Sequence, residues 1–479
     1  MKKISSYLFF MLVGIGMIAA QVDRSNYPEP GPAPEINIGD PVTFTLPNGL
    51  NVFVVENHKL PRVTYSLVLD RDPILEGDKA GITTLVGEMM MGGTASRSKD
   101  ELDEAIDRIG SQVSVSATSA SASSLKKYND QLLELFTDVL FNPAFPQSEL
   151  DKLKKQLISS LTAAKDDPNS IAGVVRNAVM YGKDHPYGET ETEETVARIQ
   201  VDDIKSYYNT YFKPNIAYLA IVGDITVDEA KALANRHFAD WQQGTVPHHE
   251  WPLPKAAAEN NVVLVNRPAS AQSVIHVGYP FVLKPNDPDV IATNVVSRVL
   301  GGGSSGRLFL NLREDKGYTY GAYGGITPGK LIATLDASAS VRNAVTDSAV
   351  HEFVYELQRL GQRTITQAEL DLAKAALAGS FARSLEQPAT IARFAINTEL
   401  QELPKDYYKN YLKNLDALTL EQTNAAAAKY VHGSGLQITV VGKTDDFADK
   451  LKEWGTVRFY TVTGDPVNGD AGNGTPKTE

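Results

Sequence analysis

The chain repeats itself, and that repeat limits its fold more than any single motif. Ser148-Glu149-Leu150-Asp151-Lys152-Leu153 returns 220 residues later as Ala368-Glu369-Leu370-Asp371-Leu372-Ala373. Ala220-Ile221-Val222-Gly223-Asp224 returns 219 residues later as Thr439-Val440-Val441-Gly442-Lys443. Each first element opens a long amphipathic helix, and each second is an apolar strand ending in Val-Gly. Two matches at nearly one offset predict a duplicated domain of about 210 residues, and a chain of 479 residues has room for two. Residues 243–260 carry Gly244, Pro247, Pro252 and Pro254 and read as the boundary. The expected organisation is an N-terminal domain at 41–245, a linker at 246–260 and a C-terminal domain at 261–463. Each half mixes hairpin-like strands with helices. The expected class is therefore α+β: two tandem homologous domains, each an antiparallel sheet with packed helices.

Within the first half, 42–46 and 50–56 read as strands joined by a Pro47-Asn48-Gly49 turn, because Asn-Gly supplies the positive φ of a tight hairpin. Residues 63–69 alternate as a third strand, 80–92 and 99–109 read as helices, and 112–118 as a further strand. The ends are not domain. Lys2 and Lys3 precede an apolar run of fourteen residues, 7–20, that exits through Ala19-Ala20; 1–20 therefore reads as a secretory signal peptide, the run being short for a membrane span, with a retained N-terminal anchor as the alternative. Residues 21–40 are a proline-rich extended lead-in, and 464–479, rich in Gly, Asn, Asp and Pro, are expected to be disordered.

The absence of cysteine excludes disulfides, thiolate zinc sites, iron–sulfur clusters and a cysteine nucleophile. An exported chain without cysteine suits a bacterial periplasm. A net charge of −12 argues against nucleic acid as a partner, and no later segment reads as membrane-spanning. The sequence GGGSSG at 301–306 fits the spacing of a dinucleotide fingerprint and of a nucleophile elbow around Ser304. Both need a strand before the loop. Here Ile291, Val295, Val296, Val299 and Leu300 recur at helical spacing, so the loop leaves a helix. It reads as a flexible Gly-Ser loop, with Gly301, Gly302 and Gly303 as candidate substrate contacts. None of the eight histidines has a partner four residues away, and His248-His249-Glu250 lies in the linker. By histidines alone the chain holds no catalytic zinc.

Residues 81–94 read Gly81-Ile82-Thr83-Thr84-Leu85-Val86-Gly87-Glu88-Met89-Met90-Met91-Gly92-Gly93-Thr94. With the repeat, this segment resembles the pitrilysin/insulinase family of metallopeptidases, the inverted zincins, over about residues 40–460. The resemblance implies a clamshell arrangement of the domains. It also implies that Gly81, Met89, Gly93 and Thr94 flank the place of an H-x-x-E-H zinc motif. That motif is degenerate here: Thr84 stands at the first ligand position, Gly87 at the general base, and Glu88 at the second ligand position. Ser160 falls near the place of the third ligand, a glutamate in the family. A catalytic zinc needs three ligands and a base for its water, and these residues supply neither, so no metal is expected in this chain. In the second half, 312–321 matches the segment that supplies an arginine and, seven residues later, a tyrosine. Arg313 and Tyr320 are the matching residues, suited to stabilising an oxyanion, with Tyr318 and Tyr323 expected to pack.

The resemblance implies a zinc-free subunit of a heterodimeric periplasmic metallopeptidase of the processing-peptidase-like branch. Its partner would be a homologous zinc-bearing subunit, and Arg313 and Tyr320 would complete that partner's site for peptide hydrolysis. A non-catalytic peptide-binding or scaffold protein of the same fold is the first alternative, and a hydrolase using Ser304 the second.

Overall fold

The computed structural model describes residues 39–254 and 257–467. The predicted signal peptide, all but the last two residues of the lead-in, and 468–479 of the tail lie outside the described residues. The first half begins with β1 (Val42–Thr45), β2 (Asn51–Glu56) and β3 (Arg62–Leu69), followed by α1 (Ile82–Met90) and α2 (Lys99–Arg108). Then come β4 (Gln112–Val115), β5 (Ser119–Leu125), α3 (Asn129–Phe141), α4 (Gln147–Ala164) and α5 (Pro168–Tyr181). It closes with α6 (Glu193–Arg198), α7 (Val201–Tyr211), β6 (Ala217–Gly223) and α8 (Val227–Phe238).

The second half runs β7 (Asn261–Asn266), β8 (Gln272–Phe281), α9 (Val290–Gly301), β9 (Thr319–Thr327) and β10 (Ala333–Arg342). Between α9 and β9 a short helical turn, Arg307–Phe309, passes into a π-helical one, Leu310–Asp315. The chain continues through α10 (Thr346–Gly361), α11 (Gln367–Ser384), α12 (Ala389–Leu400), α13 (Tyr407–Ala417) and α14 (Leu420–Tyr430), ending in β11 (Gln437–Gly442) and β12 (Thr456–Phe459).

Local chemistry explains the elements the sequence marks. Gly49 takes φ 85° in the first hairpin, and Asn48 ties that turn to α8 by donating to the Phe238 carbonyl at 2.7 Å. In β3, Val63, Tyr65, Leu67 and Leu69 are buried while Arg62, Thr64, Ser66 and Val68 are not, the period of two of a half-covered sheet. The helices α4 and α11 both span 18 residues, 220 residues apart. Thr366 and Glu369 form a reciprocal capping box at the start of α11.

The two six-stranded sheets share one topology in five of their six strands; the edge strands differ, β1 pairing antiparallel with β2 and β12, last in the chain, pairing parallel with β7. The first runs β1-β2-β6-β3-β5-β4 and the second β12-β7-β11-β8-β10-β9. Position by position β7 answers β2, β11 answers β6, β8 answers β3, β10 answers β5 and β9 answers β4. The expectation of antiparallel sheets needs correcting: both are mixed. β2 pairs with β6 in parallel, and β7 pairs in parallel with both β11 and β12. The physical reason is connection length. A parallel pair cannot be closed by a tight hairpin, and the long stretches of chain between β2 and β6 and between β7 and β11 provide the crossover it needs.

The described residues form one compact unit, and two helices are exchanged within it. From the first half, α5 packs Ile171, Ala172 and Val175 on Val263, Val265, Val274 and Val441 of the second sheet. From the second half, α12 packs Ala392 and Ile396 on Phe53, Val55, Ala220 and Val222 of the first. Polar contacts pin the first exchange: Arg176 pairs with Asp336 at 2.9 Å, and the Tyr181 hydroxyl meets Thr334 Oγ1 at 2.8 Å. After β12 the chain stays ordered through Val467, past the point where the tail was expected to begin. Asp465 pairs with Lys183 at 2.6 Å, the Asp465 N–H donates to Thr461 Oγ1 at 3.1 Å, and Tyr460 bridges to Pro466. Gly464 sits where an added Cβ would lie 2.7 Å from Ala178 Cβ on α5.

Candidate functional site

On α1 the apolar residues Leu85, Val86, Met89 and Met90 are buried, which turns Thr84 and Glu88 outward together. Four residues apart, they share one helix face. Thr84 is engaged: its hydroxyl donates to the Glu191 carboxylate just before α6. Burial raises the pKa of Glu191, its contact with Thr84 opposes the rise, and the charge of Glu76 adds to it. Glu76 and Glu189 stand beside it. Glu189 accepts the Glu76 and Gly77 N–H groups at 2.9 and 2.6 Å, and Glu76 accepts the Gly81 N–H at 2.7 Å. These three carboxylates escaped the sequence reading; the acidic run from Glu189 to Glu194 was the only sign of Glu189 and Glu191, and Glu76 had none.

Gly87 differs from both. It is buried, and a Cβ there would lie 2.3 Å from the Val115 carbonyl oxygen and 2.7 Å from Ser116 Cα. The end of β4 fills the space a side chain would need, so α1 as packed has no place for a glutamate at the base position. Ser160 is exposed on α4. Among the described residues no three His, Cys, Asp or Glu side chains converge as a metal-binding group.

The structure brings Arg313 and Tyr320 together. Arg313 rides the π-helical turn, in which the Lys316 N–H donates to the Asn311 carbonyl at 3.0 Å. Its guanidinium donates to the Tyr320 carbonyl and to Glu314 at 3.2 Å, and lies 5.3 Å from the Phe309 ring centroid and 6.0 Å from that of Tyr320. The Tyr320 side chain projects from the start of β9 and is 84% exposed. Tyr318 packs against the second core as expected. Tyr323 does not: it is half exposed, with its ring 5.9 Å from Phe309. Among the described residues no hydrogen bond or ion pair joins Arg313 or Tyr320 to Thr84, Glu88 or Ser160.

Behind this segment Arg307, 5% exposed, is clamped to α11. It donates to both Glu369 carboxylate oxygens, at 2.7 and 2.9 Å, and to the Thr364 carbonyl at 2.8 Å. Burial alone would raise the Glu369 pKa, but the Arg307 hydrogen bonds, the Thr366 N–H and the guanidinium charge outweigh it and hold the pKa at about 2.

The glycine loop is not the flexible element its composition suggests. Gly301 ends α9 and bridges to Gly324 on β9, where an added Cβ would lie 2.4 Å from the Gly324 nitrogen. A Cβ on Gly302 would lie 2.7 Å from Arg298 Cα, and one on Gly306 2.8 Å from Gly301 Cα. Each missing side chain is replaced by a neighbour, so the loop is tight. Ser304 is exposed, follows a helix rather than a strand, and has no histidine hydrogen-bonded to it among the described residues. No helix of the described residues is long and apolar enough to cross a membrane.

Comparison with known proteins adds three findings. The family model for insulinase, peptidase family M16, matches residues 52–191, and that for the peptidase M16 inactive domain matches 198–377. A Bacillus subtilis protein called an uncharacterized zinc protease, YmxG, is 25% identical over 398 residues, 80% of this chain and 94% of its own length. A Helicobacter pylori protein named a non-peptidase homolog is 22% identical over 404 residues, covering 81% and 91%. Among solved structures, a peptidase M16 inactive domain from Pseudomonas fluorescens aligns with a TM-score of 0.77 at 24% identity, over 84% of this chain and 98% of that one. The periplasmic protease PqqL of Escherichia coli aligns with a TM-score of 0.68 at 16% identity, over 87% of this chain but 49% of its own.

Proposed function

Because the chain belongs to the insulinase family of M16 peptidases, we propose that it is the zinc-free subunit of a two-chain peptidase, donating Arg313 and Tyr320 to a zinc-bearing partner's site. The observation that carries this reading is the Tyr320 phenol, 84% exposed beside the Arg313 guanidinium, in a chain whose motif helix has no room for a base. Peptide hydrolysis passes through a tetrahedral oxyanion, and a phenol and a guanidinium held at the rim of a sheet can stabilise that charge from across an interface. The glycine loop, bridged to the same strand, would line the peptide's path. PqqL supports the pairing by size, since this chain accounts for only half of it. The apolar run and small-residue exit at residues 1–20 support a periplasmic location, and zinc would reside in the partner.

The test is to mix the chain with a homologous subunit carrying an intact H-x-x-E-H motif and to measure peptide turnover. Tyr320→Phe keeps the ring and removes one donor, so turnover should fall about a hundred- to a thousand-fold with assembly intact. Arg313→Ala should lower both turnover and substrate affinity. Tyr355→Phe, exposed on α10, is the control. Equal turnover for Tyr320→Phe and the control, in a complex of proven stoichiometry, would leave the scaffold reading, which the Helicobacter relative, a non-peptidase homolog, favours.

A further inference from the structure

Among the described residues of the second half, Arg298 is the one charged side chain with a buried polar atom left unpartnered. It lies near the end of α9, directly beneath the glycine loop. Its Nε is fully buried and has no hydrogen-bond partner among the described residues. No carboxylate of those residues comes within the 4.0 Å of an ion pair. The buried and half-buried arginines described above have each found one: Arg176 has Asp336 and Arg307 has Glu369. The buried Nε has lost water without compensation, while Nη1 and Nη2, with no protein acceptor among the described residues, stay open to an incoming one.

The loop is shaped around this side chain. Gly303 has φ +133°, and an added Cβ there would lie 2.9 Å from Arg298 Nη1 and 3.4 Å from Cζ and Nη2. A Cβ on Gly302 would lie 2.9 Å from Arg298 Cδ. The positive φ favours glycine at 303, and the backbone there passes close to the guanidinium. The loop's own hydrogen bonds run from Gly302 N–H to the Arg298 carbonyl, 3.3 Å, and from Gly306 N–H to the Gly303 carbonyl, 3.0 Å. The N–H groups of Gly303, Ser304 and Ser305 donate to nothing among the described residues. Three unpaired amides of the six-residue loop thus stand over an unpaired guanidinium on the helix beneath it.

The duplication sharpens the point. β2 begins at Asn51 and β7 at Asn261, 210 residues later; the same offset carries Glu88 on α1 to Arg298 on α9. The corner where the first half bears its degenerate motif bears a guanidinium in the second.

We propose that Arg298 and the Gly303–Ser305 amides form a carboxylate-binding site for a bound peptide. The planar fork of arginine matches a carboxylate through two parallel hydrogen bonds, and backbone amides at a tight glycine turn add donors without a competing charge. The loop is bridged to β9 at Gly324, four residues along the strand from Tyr320, so the site would anchor one end or one acidic residue of a peptide lying along that rim. This rests on the reading of the chain as a peptide-handling subunit, but it is tested without the partner.

The experiment uses the full chain and calorimetry with three probes: an N-acetylated octapeptide of alanine and glutamine as the free acid, its C-terminal amide, and that amide with one internal glutamate. The free acid, the glutamate peptide or both should bind about ten- to a hundred-fold more tightly than the plain amide; which of them does so tells a terminal from a side-chain carboxylate. Arg298→Gln should abolish the difference, Arg298→Lys should keep part of it, and Arg342→Gln should leave it unchanged. Gly303→Ala should abolish it too, since the added methyl sits on the guanidinium. Arg298→Gln should melt no lower than the parent, because it removes an unpaired buried donor. A large fall in melting temperature, no preference for carboxylate, or no peptide binding at all would each overturn the site. The turnover test of Tyr320→Phe judges the subunit reading separately.

Discussion

Gly87 shows how a catalytic position can be closed by backbone rather than merely left empty. With Val115 O only 2.3 Å from where a Cβ would stand, even alanine must push α1 away from β4. Gly87→Ala should cost about 1–3 kcal/mol in urea unfolding, the range for overpacking; unchanged stability would mean that the contact yields freely. For the same reason the triple change Thr84→His, Gly87→Glu, Glu88→His should bring no stoichiometric zinc into the chain, as metal analysis would report. The spacing of Thr84, Gly87 and Glu88 was legible in the sequence because a helix face is a local property. The partner of Thr84 was not, because Glu191 lies 107 residues away. The loop at 301–306 misled in the opposite direction. Six small residues look like freedom until the atoms that occupy the missing side chains are known.

Acid titration reports on another residue. The Glu369 pKa falls from the ordinary 4.5 to about 2 in the folded chain. A depressed carboxyl pKa contributes stability that is fully present above pH 4.5 and is lost as pH falls toward 2. Arg307→Met should therefore cost roughly 2 kcal/mol near neutrality, below the range for breaking a fully buried pair because Glu369 is partly solvated. That difference should shrink below pH 4.5; a pH-independent difference would assign the loss to packing alone.

Among the elements, the hairpin, β3, α1, α2 and the start of α4 were legible because their periodicities and turn residues are contained in a few adjacent positions. The destination of α5 and α12 was not. The stripe of Ile171, Ala172 and Val175 says that α5 buries a face, but nothing in it says that the face belongs to the other half's sheet. Likewise the parallel pairing of β2 with β6 depends on the whole helical crossover between them. Ile396→Ala on α12 should cost about 2–4 kcal/mol, the range for truncating a buried aliphatic side chain. The loss should appear in the first half as well, because Ile396 covers β2 and β6.

For the molecule as a whole, duplication and exchange act together. Trp241 reports on the first core and Trp454 on the second. Single-tryptophan variants of each should give coincident denaturation midpoints, whereas two separated midpoints would mean that the halves unfold independently. The connector is anchored to the first half: Trp251 Nε1 donates to the Pro73 carbonyl at 2.7 Å, and the His249 N–H to Asp72 at 2.9 Å.

The exchanged helices also bear on how such a chain can be divided. A half made on its own would keep its strands but leave an apolar sheet wall bare, and would carry a helix with nothing to cover. Two separately made halves would each hold the piece the other lacks. Cut in the connector, this protein should reassemble from its fragments as a two-chain complex.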